Sequence, residues 1–285
     1  MGESEDALMF RRLCAEFADP GWLDRSKLAH RKGALWGLLV ALLGLYGLKW
    51  GTGAVRAVEC LVGGEPPSGR WLDAPSAWPF TSAVVAGLAF IVLRSASGSW
   101  LPPRPSDARQ WRNLGLVGMA WATPLFLTRV AGLFLPGVSC AGSPPLIPLL
   151  SPFQLSGPAE EVWFAAAIAV WMLLSVDHPR IKLLGVVVGG GVLRGIFHVY
   201  QGWASIGLFV WGACAALAVA VTGRWLLLFV LHYVNNALVN PLGVHSVVAA
   251  GCIFLVCLAT YYVANRAVGA SASRGGLTGP GPSGG

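Results

Sequence analysis

Residues 204–222 read ASIGLFVWGACAALAVAVT, nineteen positions without a charged side chain. As an α-helix rising 1.5 Å per residue this run is about 28 Å long, close to the ~30 Å hydrocarbon core of a bilayer. Comparable apolar stretches fall near 34–50, 79–93, 114–136, 157–176, 182–203, 225–242 and 246–264. Together they predict an all-α, polytopic transmembrane helical bundle of about eight spans. Composition agrees: 12% of the 285 residues are charged and 55% hydrophobic, with a mean hydropathy of +0.64, whereas a soluble domain carries roughly 25% charge.

The net charge of +7 does not point to nucleic acid, because its carriers are sorted between alternate loops. With the N-terminus inside, the inner segments hold Arg11, Arg12, Arg25, Lys27, Arg31, Lys32, Arg94, Arg104, Arg109, Arg112, Arg180, Lys182, Arg224, Arg266 and Arg274. The outer segments hold Lys49, Arg56 and Arg70, and Arg129 and Arg194 lie within spans. This fifteen-to-three split predicts a multi-pass protein of the cell membrane with both termini cytoplasmic.

Three regions follow. Residues 1–33 form a polar cytoplasmic tail in which 6–17 mix apolar and charged residues, as an interfacial helix or a solvated leader would. The first apolar run lacks a small-residue cleavage site and reads as a retained span. Residues 34–266 form the membrane domain. The run SASRGGLTGPGPSGG closes the chain, and 267–285 are expected to be disordered because they bury too little apolar surface. Six cysteines show no CxxC spacing. Cys214, Cys252 and Cys257 sit in apolar runs as small hydrophobes, while Cys60 and Cys140 fall in outer loops where a disulfide between them is permitted. Trp36, Trp50, Trp78, Trp100, Trp111 and Trp225 lie near span ends and read as interfacial anchors.

Ionisable residues concentrate in few spans. Spans 1, 2, 6 and 8 hold no Asp, Glu, Arg or His in their apolar cores, whereas spans 4, 5 and 7 carry Glu160, Glu161, Arg194, His198, His232, Asn235 and Asn236. A charge at the bilayer centre costs at least ~2.5 kcal/mol on insertion scales, so such residues face the bundle interior, pair, and mark function. Arg194 with His198, and His232 with Asn236, are four apart and share a helical face. Glu160 and Glu161 point about 100° apart, so that one addresses a cavity while the other anchors. A lone intramembrane His or Asn is ordinarily an interhelical hydrogen-bonding group; two acids, an Arg and two His in neighbouring spans exceed that need. Arg129 stands apart, placed either to pair with a glutamate or to snorkel outward.

Known hydrolytic motifs narrow the chemistry. No HExxH occurs, all six Asp residues lie outside the spans or at their ends, and no span carries GxSG. Ordinary zinc, aspartyl and rhomboid-like serine centres are therefore excluded.

Over 156–241 the ordered set of paired glutamates, a histidine on the next polar span and HxxxN on a third resembles the CAAX-protease and bacteriocin-processing (CPBP) family of intramembrane proteases, which includes the type II CAAX prenyl proteases. Two positions depart from the family's EExxxR and FxxxH. Ala165 stands where the family's Arg follows the glutamates, and Arg194 stands in place of the Phe. The segment 194–202, RGIFHVYQG, is similar to an R-x-x-Y/F-H-x-Y-Q-G form associated with a bacterial branch, in which Arg194 supplies the cation missing at position 165.

The resemblance implies an endopeptidase without a cofactor. Glu160 and His198 activate a water, His232 and Asn236 stabilise the tetrahedral oxyanion, and Glu161 completes the set with Arg194 in support. A zinc alternative takes Glu160, His198 and His232 as ligands. The implied partners are the lipid bilayer and a peptide or membrane-protein substrate, and the cavity is expected to open outward. Two rival readings use the same residues: a non-proteolytic scaffold or immunity protein of the same family, for which Ala165 is the pointer, and a proton-coupled transporter, against which no internal repeat is seen.

Overall fold

The structure is a computed structural model describing residues 17, 21–24, 32–63, 77–99, 105–135, 152–175, 178–196, 198–199, 206–239 and 242–275. Eight helical passes run through these residues: α1 (Lys32–Gly63), α2 (Ala77–Ser97), α3 (Ala108–Ala131), α4 (Pro152–Leu174), α5, α6 (Ile206–Thr222), α7 (Trp225–Val239) and α8 (Ser246–Gly275). α5 is composite, with helical turns Pro179–Leu184 and Gly190–Ile196 flanking a π-helical turn at Gly185–Gly189. The chain is an all-helical membrane bundle. Among the described residues α3, the Gly157–Leu174 part of α4 and the Ser246–Ala270 part of α8 are each long and apolar enough to cross a bilayer, and α1, α2, α6 and α7 contribute shorter apolar stretches.

α4 forms the axis. Of its Gly157–Leu174 stretch 83% is buried, against 28% of the peripheral α8 stretch, and α1, α2, α5, α6 and α7 all pack on it. Each surrounding helix turns one stripe inward. On α1, Leu35, Leu39, Leu42 and Tyr46 are buried at helical spacing while Val40 and Leu43 face outward. The outer surface is apolar too, with Leu184, Val256 and Val263 exposed, as a lipid-facing bundle requires. A Gly-Pro pair usually marks a helix boundary, yet α4 begins at Pro152 and runs through Pro158, so span 4 starts five residues before the expected 157. α3 starts early at Ala108 because Asp107 caps it, its Oδ1 accepting the Gln110 N–H at 2.9 Å.

Several expectations are corrected. α1 continues to Gly63, so Cys60 lies on helical backbone rather than in a loop; Cys140 falls outside the described residues, and the proposed bridge with it. α8 extends to Gly275, nine residues beyond the expected boundary at 266. The Ala-rich continuation propagates an existing helix without a new nucleation cost. Trp36 and Trp111 are about half exposed, as anchors should be, but Trp225 is buried, its ring edge-on to Phe90 at 5.4 Å. Parts of the N-terminal tail are also neither solvated nor interfacial. Phe17 and Leu23 are buried in the core, Trp22 Nε1 donates to the Ala220 carbonyl at 3.0 Å, and the Asp24 N–H donates to the Ala96 carbonyl at 2.7 Å. The Trp22 ring lies against Gly223, whose φ of 64° suits a residue without Cβ. Lys182, counted above as a loop charge, is buried at the start of α5 with Nζ 6.0 Å from the centre of the Phe17 ring. The tail thus seals the end of the bundle where α2 and α6 finish and α5 begins.

Candidate functional site

The polar residues gather towards the opposite end, around the first turns of α4. Glu160 and Glu161 are both buried there, and their environments differ as their 100° separation predicts. Glu161 Oε2 is paired with Arg194 Nη2, and its Oε1 receives His232 Nδ1 at 2.8 Å. Glu160 Oε1 receives the Tyr46 hydroxyl at 2.8 Å. Oε2 of Glu160 has no donor among the described residues. Glu161 is therefore the anchor, with both oxygens held, and Glu160 keeps one oxygen for chemistry.

Arg194 occupies the place expected of a substitute cation, reaching from α5 to Glu161. Its guanidinium lies between two aromatic faces, 4.5 Å from the Phe164 ring centre and 4.6 Å from that of Trp211. Glycines bring its helix close enough. A Cβ on Gly190 would collide with Ala216, one on Gly195 with the Phe209 ring, and one on Gly212 with the Arg194 Cβ. The π turn inserts a residue into the helical count and so rotates everything after it by about 100°, which sets the face on which Arg194 emerges. Ala165 is wholly buried.

α5 ends at Ile196, earlier than the span boundary read at 203, and His198 lies in the turn that follows. It stays with Arg194 all the same. The His198 backbone N–H bonds the Gly195 carbonyl at 3.0 Å, and its Nδ1 donates to the Arg194 carbonyl at 2.8 Å. Because a carbonyl only accepts, the proton is on Nδ1 and the lone pair is on Nε2. The ring is edge-on to Trp211 at 5.6 Å, and Trp211 in turn is 5.9 Å from the His232 ring.

His232 and Asn236 converge over the start of α4. The point where a Cβ on Gly157 would sit is 2.6 Å from both His232 Nε2 and Asn236 Nδ2. Asn235 fixes the Asn236 amide by donating from Nδ2 to its Oδ1 at 3.4 Å, which presents the NH₂ group towards Gly157. Two nitrogens from one face of α7 thus border the small space left by a glycine one turn before Glu161.

The structure brings together Glu160, Glu161, Arg194, His198, His232 and Asn236. It does not bring Glu160, His198 and His232 into a metal-binding set: among the described residues no three His, Cys, Asp or Glu side chains converge for a metal ion, and His232 Nδ1 is taken by Glu161. Phe197, Tyr200, Gln201 and Gly202 of the 194–202 motif lie outside the described residues. Sequence reasoning missed Tyr46, Gly157 and the orienting role of Asn235. Tyr46 was legible only as a hydroxyl within the apolar run of the first span, three residues before Lys49.

Residues 142–238, about a third of the chain, match the family model for Rce1-like type II CAAX prenyl endopeptidases. The resemblance drawn from the motifs on α4, α5 and α7 therefore holds over this segment. No curated protein and no solved structure gave a match.

Proposed function

We propose that this chain is an intramembrane endopeptidase that hydrolyses a peptide bond of a peptide or membrane-protein substrate with an activated water. One observation carries the reading: adjacent carboxylates are divided into a held anchor, Glu161, and a group with an open oxygen, Glu160. A scaffold needs no such division.

In this mechanism a water lies between Glu160 Oε2 and His198 Nε2. Glu160 Oε2 accepts its proton, with His198 Nε2 orienting the water, as the water oxygen bonds to the scissile carbonyl carbon, in general-base catalysis worth typically 10²- to 10⁴-fold. Negative charge moves to the carbonyl oxygen, where Asn236 Nδ2–H and His232 Nε2–H donate to it. His232 carries both ring protons in this role, because Nδ1–H already donates to Glu161, and the Glu161 carboxylate offsets its charge. Such donors contribute about 3 kcal/mol each when preorganised. The proton taken from water passes to the leaving nitrogen, the C–N bond breaks, and a new carboxyl and a new amine terminus result. No step requires a metal or a covalent acyl-enzyme.

The test is cleavage of a peptide library by the full chain, purified in detergent and treated with chelator. New termini produced by the wild type and lost in Glu160→Ala support the reading. An intact library, or cleavage that returns only when zinc is added, sinks the metal-free endopeptidase.

A further inference from the structure

Tyr46 lies on α1, nearly a hundred residues ahead of the segment that matches the family model. It is almost wholly buried. Its ring stacks on Trp163 with centres 3.8 Å apart and planes within 16°. Trp163 is itself fixed to α1, its Nε1 donating to the Leu42 carbonyl at 2.9 Å, one turn before Tyr46. A phenylalanine would supply all of this packing. The hydroxyl adds something packing does not use: it reaches Glu160 Oε1 at 2.8 Å, with the Leu193 carbonyl of α5 at 3.2 Å. A phenol buried among apolar helices needs a partner, and here the nearer of its two acceptors is one specific oxygen of the glutamate left open on its other side.

We infer that Tyr46 is a positioning residue of the hydrolytic site, holding Oε1 of Glu160 so that the carboxyl plane is fixed and Oε2 alone faces the water. This rests on the reading of Glu160 as the group that activates water. A carboxylate has two equivalent oxygens and a soft terminal torsion; unrestrained, it presents either oxygen in a range of planes. With Tyr46 donating to Oε1, the proton taken from water goes to Oε2. Oε1 remains an acceptor, so the same hydrogen bond persists when Glu160 is ionised and when it is protonated. The phenolic proton stays on Tyr46 throughout. The Leu193 carbonyl, also an acceptor, shares this one phenolic proton as the longer, 3.2 Å arm of a bifurcated bond beside α5, the helix that leads into His198.

The experiment uses the full chain in detergent as wild type, Tyr46→Phe, Glu160→Gln and the double variant. Tyr46→Phe keeps the stack on Trp163, and its thermal unfolding is measured alongside. kcat falls roughly 10- to 100-fold with KM within about twofold, a part of the 10²- to 10⁴-fold that a well-placed base supplies, and the double variant is no slower than Glu160→Gln alone. In infrared spectra, the carboxyl band that disappears in Glu160→Gln moves in Tyr46→Phe. An unchanged band, or unchanged kcat where Glu160→Gln is inactive, overturns the inference. If Glu160→Gln keeps wild-type turnover, the hydrolytic reading itself fails; the band then decides the contact alone, its shift supporting Tyr46 as the partner of Glu160 and its constancy overturning it.

Discussion

Arg194 on α5 and Glu161 on α4 form an ion pair with both side chains sealed from solvent, thirty-three residues apart in sequence. Removing one member of such a pair strands the other's charge, at a cost of about 3–5 kcal/mol. Arg194→Ala should lower unfolding stability by that order and abolish activity. Ala165 follows Glu161 by one helical turn, so adding Ala165→Arg should return part of both losses. The two single variants and the double form a cycle that measures the coupling. A silent Arg194→Ala, or a double variant equal to the sum of independent losses, excludes Arg194 as the replacement cation.

Gly157 is held to glycine by the site rather than by its backbone. A methyl group there would begin 2.6 Å from both His232 Nε2 and Asn236 Nδ2, displacing the two proposed oxyanion donors. Removing one such donor costs about 10²- to 10³-fold in kcat, so Gly157→Ala should lose at least that much. Alanine is a better helix former than glycine by up to ~1 kcal/mol, which offsets some of the steric cost to folding. Turnover and thermal unfolding of the same sample check this, and kcat within threefold of wild type contradicts the oxyanion assignment.

Local periodicity made much of this legible. Apolar run length located all eight passes, and the four-residue spacing on span 7 joined His232 with Asn236; His198 lies beyond the end of α5 rather than on a shared helical face, and stays near Arg194 through the Arg194 backbone carbonyl. The 100° between neighbouring glutamates correctly implied two environments. What stayed hidden depends on contacts between distant segments. Tyr46 meets Glu160 across 114 positions and Trp22 meets Ala220 across 198, and no helical period encodes either. Trp225 looks like an anchor from its place at a span end, but is covered by Phe90. The π turn at Gly185–Gly189 is invisible in a glycine- and valine-rich run that reads equally well as uninterrupted α-helix.

The asymmetry of basic residues predicts that both termini lie in the cytoplasm. The buried tail residues are compatible with this, since Phe17, Trp22 and Leu23 cover the end of the bundle that the basic inner segments share. A reporter active only in the cytoplasm, fused after Gly285, should give signal in intact cells. Signal only from a reporter that works outside the cytoplasm reverses the orientation, and with it the side from which substrate reaches Glu160.

The central claim is that Glu160 activates the water that cleaves the substrate. Single-turnover hydrolysis in ¹⁸O-labelled water tests it most directly, comparing wild type with Glu160→Gln, which keeps an oxygen for Tyr46 but cannot take up a proton as a carboxylate does. The wild type should place one ¹⁸O in the new carboxyl terminus, and Glu160→Gln should slow that incorporation by at least ~10²-fold while unfolding at nearly the same temperature. Labelled product formed by Glu160→Gln at the wild-type rate would contradict the account.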